Sequence, residues 1–242
     1  MLRDNERIDK LNFRNTKIIQ SREVFSFSTD AILLSKFAHL PKKGKIIDLC
    51  AGNGAVALNI ADRTSAHIIL IEIQKRLADM AHRSIQLNNF DNMSILNIPL
   101  NQSLKYIHHD SIDSIVCNPP YFRIEDQVKQ NPNPHLAIAR HELKTNLDEI
   151  CIISKQLLKT KGHFTLVHRP DRFLEIINTL QKNNLIPKRI QFVHPNIKKE
   201  ANILLIEAIK DGNTKGIKFL PPLYIYDENG NYTKELLNIY HD

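Results

Sequence analysis

Missing from this chain is any apolar run approaching the roughly 18 residues that a membrane-spanning helix needs, so no span is predicted. Its opening, MLRDNERIDK, is charged throughout and does not read as a secretory leader. Cysteine is scarce: Cys50, Cys117 and Cys151 form an odd set without C-x-x-C spacing. They read as buried thiols in a reducing, cytoplasmic compartment, neither a disulfide frame nor a zinc site. The 11 histidines are scattered, and His108-His109 lacks the helical spacing of a metal-binding pair, so no metal is predicted. Internal repeats and low-complexity tracts are absent too. What remains is one large domain, or one domain with appendages, and a hydrophobic content of 42% that suffices for a core.

Charge is present in excess of one sign. The net charge is +7, and residues 140–199 alone hold 12 basic against 5 acidic residues. Residues 200–242 reverse the balance, with 4 basic and 7 acidic. A polyanionic partner and a merely solvated basic face both account for that surplus. Residues 1–22 carry 6 basic and 3 acidic side chains with unclear apolar periodicity, which fits an RNA-facing arm or a frayed terminus.

Three stretches carry chemistry. Ile115-Val116-Cys117 reads as a buried strand and runs into Asn118-Pro119-Pro120-Tyr121-Phe122. Two prolines cannot extend a ladder, so the chain leaves the sheet there and delivers an amide and an aromatic ring to its lip. Upstream, Lys45-Ile46-Ile47 leads into Asp48-Leu49-Cys50-Ala51-Gly52-Asn53-Gly54-Ala55, a glycine turn opening a helix. Ile68-Ile69-Leu70-Ile71-Glu72 is a third strand, ending in a carboxylate 24 residues after Asp48. An acid about 20 residues beyond a glycine turn suits a ribose diol. Each signal is weak alone. In this order, each at the end of a parallel strand, they point to an enzyme that binds a nucleoside cofactor.

Strands are expected at 45–50, 67–72, 93–98 and 113–118, with a helix at 74–88 and a weaker one at 102–108. A further helix at 147–159, a strand at 163–168, a helix at 171–182 and two strands at 188–194 and 202–209 complete the core. The alternation predicts a doubly wound α/β sheet with right-handed crossovers. Residues 122–146 read as a long polar loop, a flap over a substrate. The division expected is an N-terminal extension and helix (1–40), a core (41–210) and a C-terminal hairpin (211–242) around a turn at Asp227–Asn231.

DLCAGNG, IEIQ and NPPYF together resemble the amino-methylating S-adenosylmethionine-dependent methyltransferases. Phe27-Ser28-Thr29-Asp30, Ala139-Arg140-His141-Glu142, Pro221-Pro222-Leu223 and Tyr232-Thr233 extend the resemblance to the bacterial valine-tRNA adenine-37 N6-methyltransferases, over nearly the whole chain. The resemblance implies a Rossmann-like, seven-stranded sheet, mostly parallel, closed by an antiparallel hairpin. It implies S-adenosyl-L-methionine as cofactor, tRNA as partner, and Asn118, Pro119, Pro120 and Tyr121 as the catalytic loop. Cofactor contacts would fall to Thr29, Asp30, Asp48, Gly52, Asn53, Gly54, Glu72, Ile73, Asn101 and Asn118. Substrate contacts would fall to Tyr121, Phe122, Arg140, Arg169, Arg172, Lys188 and Arg189; Arg140 suits a phosphate or an internal pair with Glu142 or Asp148.

One departure stands out. Pro99 lies where the family often has an acid for the cofactor's adenine, so either Asn101 substitutes or backbone and apolar contacts hold it. The resemblance leaves adenine in ribosomal RNA or DNA, or a protein glutamine, as alternative targets. N5-glutamine methyltransferases share NPPY, but usually carry an N-terminal helical bundle; only about 40 residues precede the core here. The remaining alternative is a non-catalytic RNA-binding protein on the same scaffold.

Overall fold

Three β-branched or leucine-rich runs, with charges only at their ends, fold as adjacent parallel strands buried on both faces, as the apolar pattern requires. They are β3 (Lys45–Leu49), β4 (His67–Ile71) and β6 (Ile112–Cys117). In the computed structural model, residues 2–12, 14–24, 27–121 and 145–241 are described. The expected flap at 122–146 thus lies almost wholly outside the described residues, with Phe122 and Arg140. Among the described residues the main sheet has nine strands. Its central seven run β8-β9-β7-β6-β3-β4-β5, where β5 is Met93–Leu96, β7 Leu158–His168, β8 Leu185–His194 and β9 Ile203–Lys210. β9 is antiparallel to both neighbours and the rest of the seven are parallel where they pair. This is the doubly wound, mostly parallel sheet with an antiparallel closing hairpin that the sequence predicts.

Helices cover both faces. One layer holds α1 (Thr29–Phe37), α2 (Ala55–Ile60) and α3 (Lys75–Leu87). The other holds α4 (Leu147–Leu157) and α5 (Phe173–Lys182). The two apolar clusters split accordingly, with Ile46, Ile68 and Leu70 facing one layer and Ile47, Leu49 and Ile71 facing the other. That split is the period-2 alternation of a strand. α4 starts where Asn146 accepts the amide of Glu149 at 2.9 Å, a side-chain N-cap.

Several boundaries differ from expectation. The weak helix at 102–108 is a 3-10 turn at Leu100–Lys105, entered from Pro99. β7 begins directly after α4; its first residues, with Lys161 at φ 64° and Gly162, form an irregularity where pairing to β6 jumps from Leu158 to His163. The N-terminal stretch is an antiparallel hairpin of β1 (Glu6–Lys10) and β2 (Lys17–Ser21) docked on α3. Its Ile19 amide donates to Ser84 Oγ at 3.0 Å, and Arg83 joins Glu6 and Asp79, both at 2.7 Å. In the last segment β10 (Lys218–Phe219) and β11 (Leu223–Tyr224) both add in parallel to β8. One antiparallel bridge, Tyr226 to Tyr232, stands in place of a full hairpin, and α6 (Lys234–His241) follows against α1.

Candidate active site

β6 stops at Cys117 because Pro119 and Pro120 have no amide hydrogen for the ladder. Asn118 to Tyr121 therefore project from the carboxyl end of a central strand. β3 ends beside it, and the turn that follows is cramped: Cys50, Gly52 and Gly54 all take positive φ. A Cβ on Gly54 would sit 3.1 Å from Leu70 and 3.3 Å from Ala81, so glycine lets α2 pack tightly there. A Cβ on Gly52 would meet no protein atom within 4 Å. β4 delivers Glu72 to the same end. Together these elements line an open cavity of about 1120 Å³, counting its mouth. Cys50, Gly52 and Asn53 line it, as do Glu72, Ile73 and Gln74 on one side and Asn118 to Tyr121 on the other. Asp30 lines it from the start of α1.

Glu72 is almost fully buried, and its oxygens accept the amides of Gly52 at 2.8 Å and Gln74 at 2.7 Å. Burial raises its pKa, and these amides pull the other way without cancelling the rise. Asp48 lies beneath the glycine turn, outside the cavity lining, with Oδ2 accepting the Ala57 amide at 3.0 Å and Oδ1 buried without a partner. Burial, assisted by the nearby Glu72 charge against the pull of the Ala57 amide, lifts its pKa to about 8. Asn53 turns its amide to the hairpin, donating to the Ile19 carbonyl at 3.1 Å, so β2 braces the glycine turn.

Tyr121 Oη lies 2.7 Å from Asp30 Oδ2 and 2.7 Å from Asn118 Oδ1. One hydroxyl proton cannot serve two acceptors. Turning the Asn118 amide over moves no heavy atom and lets its nitrogen donate to Tyr121. Tyr121 then donates to Asp30, and Asn118 Oδ1 is released for an outside donor. The Tyr121 carbonyl is held by Arg172 Nη1 at 3.1 Å, and Arg172 also pairs Glu175 at 2.7 Å.

Not every predicted residue reaches this cavity. Among the cofactor candidates, Thr29, Asp48, Gly54 and Asn101 lie outside its lining. Thr29 hydrogen-bonds Tyr240. Asn101 is exposed, and Ile73, Ile98 and Leu100 make the wall near Pro99. Of the proposed substrate contacts, Lys188 binds the carbonyls of Asn213 and Lys215. Arg189 pairs Glu207 at 2.8 Å, donates to the Phe37 carbonyl at 2.6 Å and covers the Phe37 ring. Both are occupied within the protein and away from the cavity. Arg169 lies 3.7 Å from Asp171.

His168 is absent from the residues that motif spacing singles out. It ends β7, its ring is 5.1 Å from that of Tyr121, and Nδ1 accepts the Arg169 amide at 2.8 Å. Burial, helped by the Arg172 charge, pushes its pKa down to about 3, so it is a neutral buttress behind Tyr121. The rule that singles out Asn118, side chains at the carboxyl ends of parallel strands, also finds His168.

The cavity suits an elongated ligand with an ammonium, a diol and a flat ring. Carboxylates stand at two places, Asp30 and Glu72, a glycine turn lies between, and Ile73, Ile98 and Leu100 form an apolar slot. The orphaned Asp48 oxygen lacks a cationic or donor partner. Among the described residues no group of acids, histidines and cysteines has the arrangement of a metal site, and no helix is long and apolar enough to cross a membrane.

Residues 10–185 match the family model described as the methyltransferase small domain. A tRNA1(Val) (adenine(37)-N6)-methyltransferase of Photobacterium profundum is 31% identical, over 89% of each chain. Its counterpart in Aliivibrio fischeri is 28% identical, over 88% of this chain and 87% of its own. Among solved structures, a predicted O-methyltransferase, Atu636 of Agrobacterium tumefaciens, superposes with a TM-score of 0.70 at 22% identity, covering 88% of this chain and 97% of its own.

Proposed function

The chain belongs to the methyltransferase small-domain family, and on that premise we propose that it moves a methyl group from S-adenosyl-L-methionine to the N6 amine of an adenine in tRNA. Adenine 37 of tRNA(Val), the target in the names of its relatives, is the favoured site. The observation that carries this reading is the Asn118–Tyr121 loop opening on the same cavity as the glycine turn and Glu72. The reaction belongs in the cytoplasm, where thiols such as Cys50 stay reduced.

When bound, the cofactor supplies an electrophilic methyl group on a sulfonium. Glu72 keeps spare lone-pair capacity for ribose hydroxyls beyond the backbone amides of Gly52, Ile73 and Gln74. Ile73, Ile98 and Leu100 take the cofactor's ring without an acid at Pro99. Asp30 provides negative charge for its ammonium, and Asp48, beneath the turn, holds a buried oxygen with no partner of its own toward the same region.

The adenine amine is a weak nucleophile, because its lone pair is delocalised into the ring. As it attacks it becomes tetrahedral and cationic, so acceptors aimed at its hydrogens stabilise the transition state more than the ground state. Asn118 Oδ1, once the amide is turned, and the Pro119 carbonyl are those acceptors. Pro120 limits the loop's freedom and Arg172 braces its far end, which preserves the attack geometry. Tyr121 stacks on the base, worth about 1–3 kcal/mol, with His168 behind it. Phe122 is proposed as a further wall, and Arg140 and Arg169 as phosphate contacts. No general base is needed, since the proton leaves after transfer.

Nucleoside mass spectrometry of tRNA from a strain lacking the gene tests the reading. The expected result is loss of N6-methyladenosine from the anticodon-loop fragment of valine tRNA, restored by adding purified protein. An unchanged fragment would overturn it.

A further inference from the structure

We propose that Asp30 fixes which way the Asn118 amide faces, acting through the Tyr121 hydroxyl, and is thereby a positioning residue for methyl transfer. This rests on the tRNA reading above and assigns a further role within that site. Asp30 stands in the first turn of α1, and Tyr121 comes 91 residues later, beyond the end of β6. The fold brings three polar groups together there: Tyr121 Oη lies 2.7 Å from Asp30 Oδ2 and 2.7 Å from the Asn118 amide. Both are hydrogen-bond lengths, so each contact calls for a proton.

The supply of protons decides the arrangement. A carboxylate has none, the hydroxyl has one and the amide nitrogen has two. If Tyr121 gave its proton to Asn118, its oxygen would face Asp30 Oδ2 at 2.7 Å with no proton between them. Given to Asp30, the proton makes a charge-assisted bond, the stronger kind. The amide nitrogen then donates to Oη, and both contacts are filled. Burial, and after it the charge of Asp30, hold the Tyr121 pKa well above its ordinary value, so the hydroxyl keeps that proton. The carboxylate at position 30 therefore sets the direction of the whole chain, from Asn118 to Tyr121 to Asp30. As a consequence the Asn118 oxygen is turned away from Tyr121 and is free for the adenine amine.

Asp30 also lines the cavity, so one side chain faces both reactants. Its Oδ2 serves Tyr121 and leaves Oδ1 for the cofactor's ammonium, whose charge favours the ionised carboxylate. Arg172 holds the Tyr121 carbonyl at 3.1 Å, which anchors the residue between them. Without an acceptor at position 30 the chain should reverse. The Tyr121 proton then goes to the Asn118 oxygen and blocks it.

The test reads rate and amide orientation separately. Methyl transfer is measured with the full chain and an RNA hairpin carrying the valine anticodon loop, at saturating cofactor because Asp30 also serves the ammonium. Asp30→Ala should lower kcat about 100-fold, the loss of one preorganised polar partner. The hairpin KM should stay within about twofold, because the Tyr121 ring remains. Tyr121→Phe leaves the amide free to face either way, so kcat should fall only about fivefold, the worth of one neutral hydrogen bond. Asp30→Ala combined with Tyr121→Phe should recover to the Tyr121→Phe rate, since no hydroxyl remains to occupy the Asn118 oxygen. Should the alanine variant fold poorly, Asp30→Asn keeps the shape. With its oxygen on the cofactor's ammonium, the new amide turns its nitrogen to Tyr121, and the same loss and the same rescue are expected. Independently of RNA, isotope-labelled asparagine reports the orientation by NMR. The Asn118 side-chain amide, assigned by its absence in Asn118→Ala, should carry one proton protected from exchange in wild type and none in Asp30→Ala or Tyr121→Phe. No rescue in the double variant, or an unprotected Asn118 amide in wild type, would overturn the proposal. A protected amide that is lost in Asp30→Ala, with no transfer to the hairpin by wild type, would support the role of Asp30 while removing the tRNA reading.

Discussion

Asn118 and Asp48 are both side chains of the cavity region, yet their substitution should have separable effects. Asn118→Ala removes an acceptor that matters as charge develops on the amine. Transfer should fall roughly 100-fold to 1000-fold, the range for loss of one preorganised polar partner, with cofactor affinity largely kept. Single-turnover assays with calorimetric titration check it; wild-type turnover would refute the role. Asp48 concerns stability and pH. Unfolded, it ionises near 4; folded, at about 8. The folded state thus holds the proton more tightly, so this group favours folding most below pH 4. Its contribution falls as pH rises through the window and is gone above pH 8. His168 has the opposite sign, since its folded pKa of about 3 lies below the unfolded value. Its contribution is complete above roughly pH 7, where both states are neutral, and is lost on acidification. Between pH 7 and 8, therefore, wild type should lose stability relative to Asp48→Asn, which cannot ionise. Urea unfolding of the two proteins across that interval reads the difference, and parallel pH curves would contradict the placement of Asp48. The residues named from motif spacing were legible because a strand end fixes where a side chain emerges. The orphaned Asp48 oxygen and the neutral His168 depend on what other strands bury around them, which no local pattern encodes.

Elements divide the labour around the cleft. The glycine turn offers a contrast between two positions of one loop. Gly54→Ala puts a methyl group against Leu70 and Ala81 at a φ of 86°, and should cost about 2 kcal/mol of stability from strain and overlap. Gly52→Ala meets no protein atom and pays only for its left-handed conformation, about 1 kcal/mol, yet it lines the cavity. It should lower cofactor affinity more than stability. Thermal melts beside cofactor titrations separate the two, and equal effects at both sites would show that the turn acts as one unit. The β1–β2 hairpin is the element least legible in the sequence. Its charges alternate with isoleucines, and nothing local says that Glu6 finds Arg83 or that Ile19 finds Asn53 and Ser84 across the chain. Arg83→Ala should cost about 2 kcal/mol, between the values for exposed and buried pairs. It should also loosen the glycine turn through Asn53, seen as weaker cofactor binding together with faster proteolysis of the first 22 residues; unchanged binding would confine the hairpin to a structural role. The core strands were legible to within a few residues because both their faces are buried and their apolar runs are continuous.

On the scale of the whole molecule, charge is where linear and spatial order part company. Residues 140–199 hold the surplus of positive charge, but part of it is neutralised by acids from elsewhere in the fold, Arg189 by Glu207 and Lys159 by Asp113, while Arg172 pairs Glu175 and Lys182 pairs Asp148 inside the window. Glu207 and Asp113 come from outside the window, so counting along the chain could not show their share of the cancellation. Arg14, Lys36 and Arg63 come from three separate stretches of modest net charge, yet they line one groove, where Arg63 donates to the Ser35 carbonyl at 2.6 Å. A cation of the basic window whose ammonium is engaged by two backbone carbonyls should add little to RNA affinity. Lys188 is the test, since its ammonium caps the carbonyls of Asn213 and Lys215. Lys188→Ala should leave the salt dependence of RNA binding unchanged and lower the melting temperature slightly as the 213–215 turn loosens. A slope flatter by about 0.7 in this variant would mean that its ammonium leaves those carbonyls for a phosphate when RNA binds. The RNA footprint would then extend along the β8 edge of the sheet, and the basic window would regain the role its composition suggests.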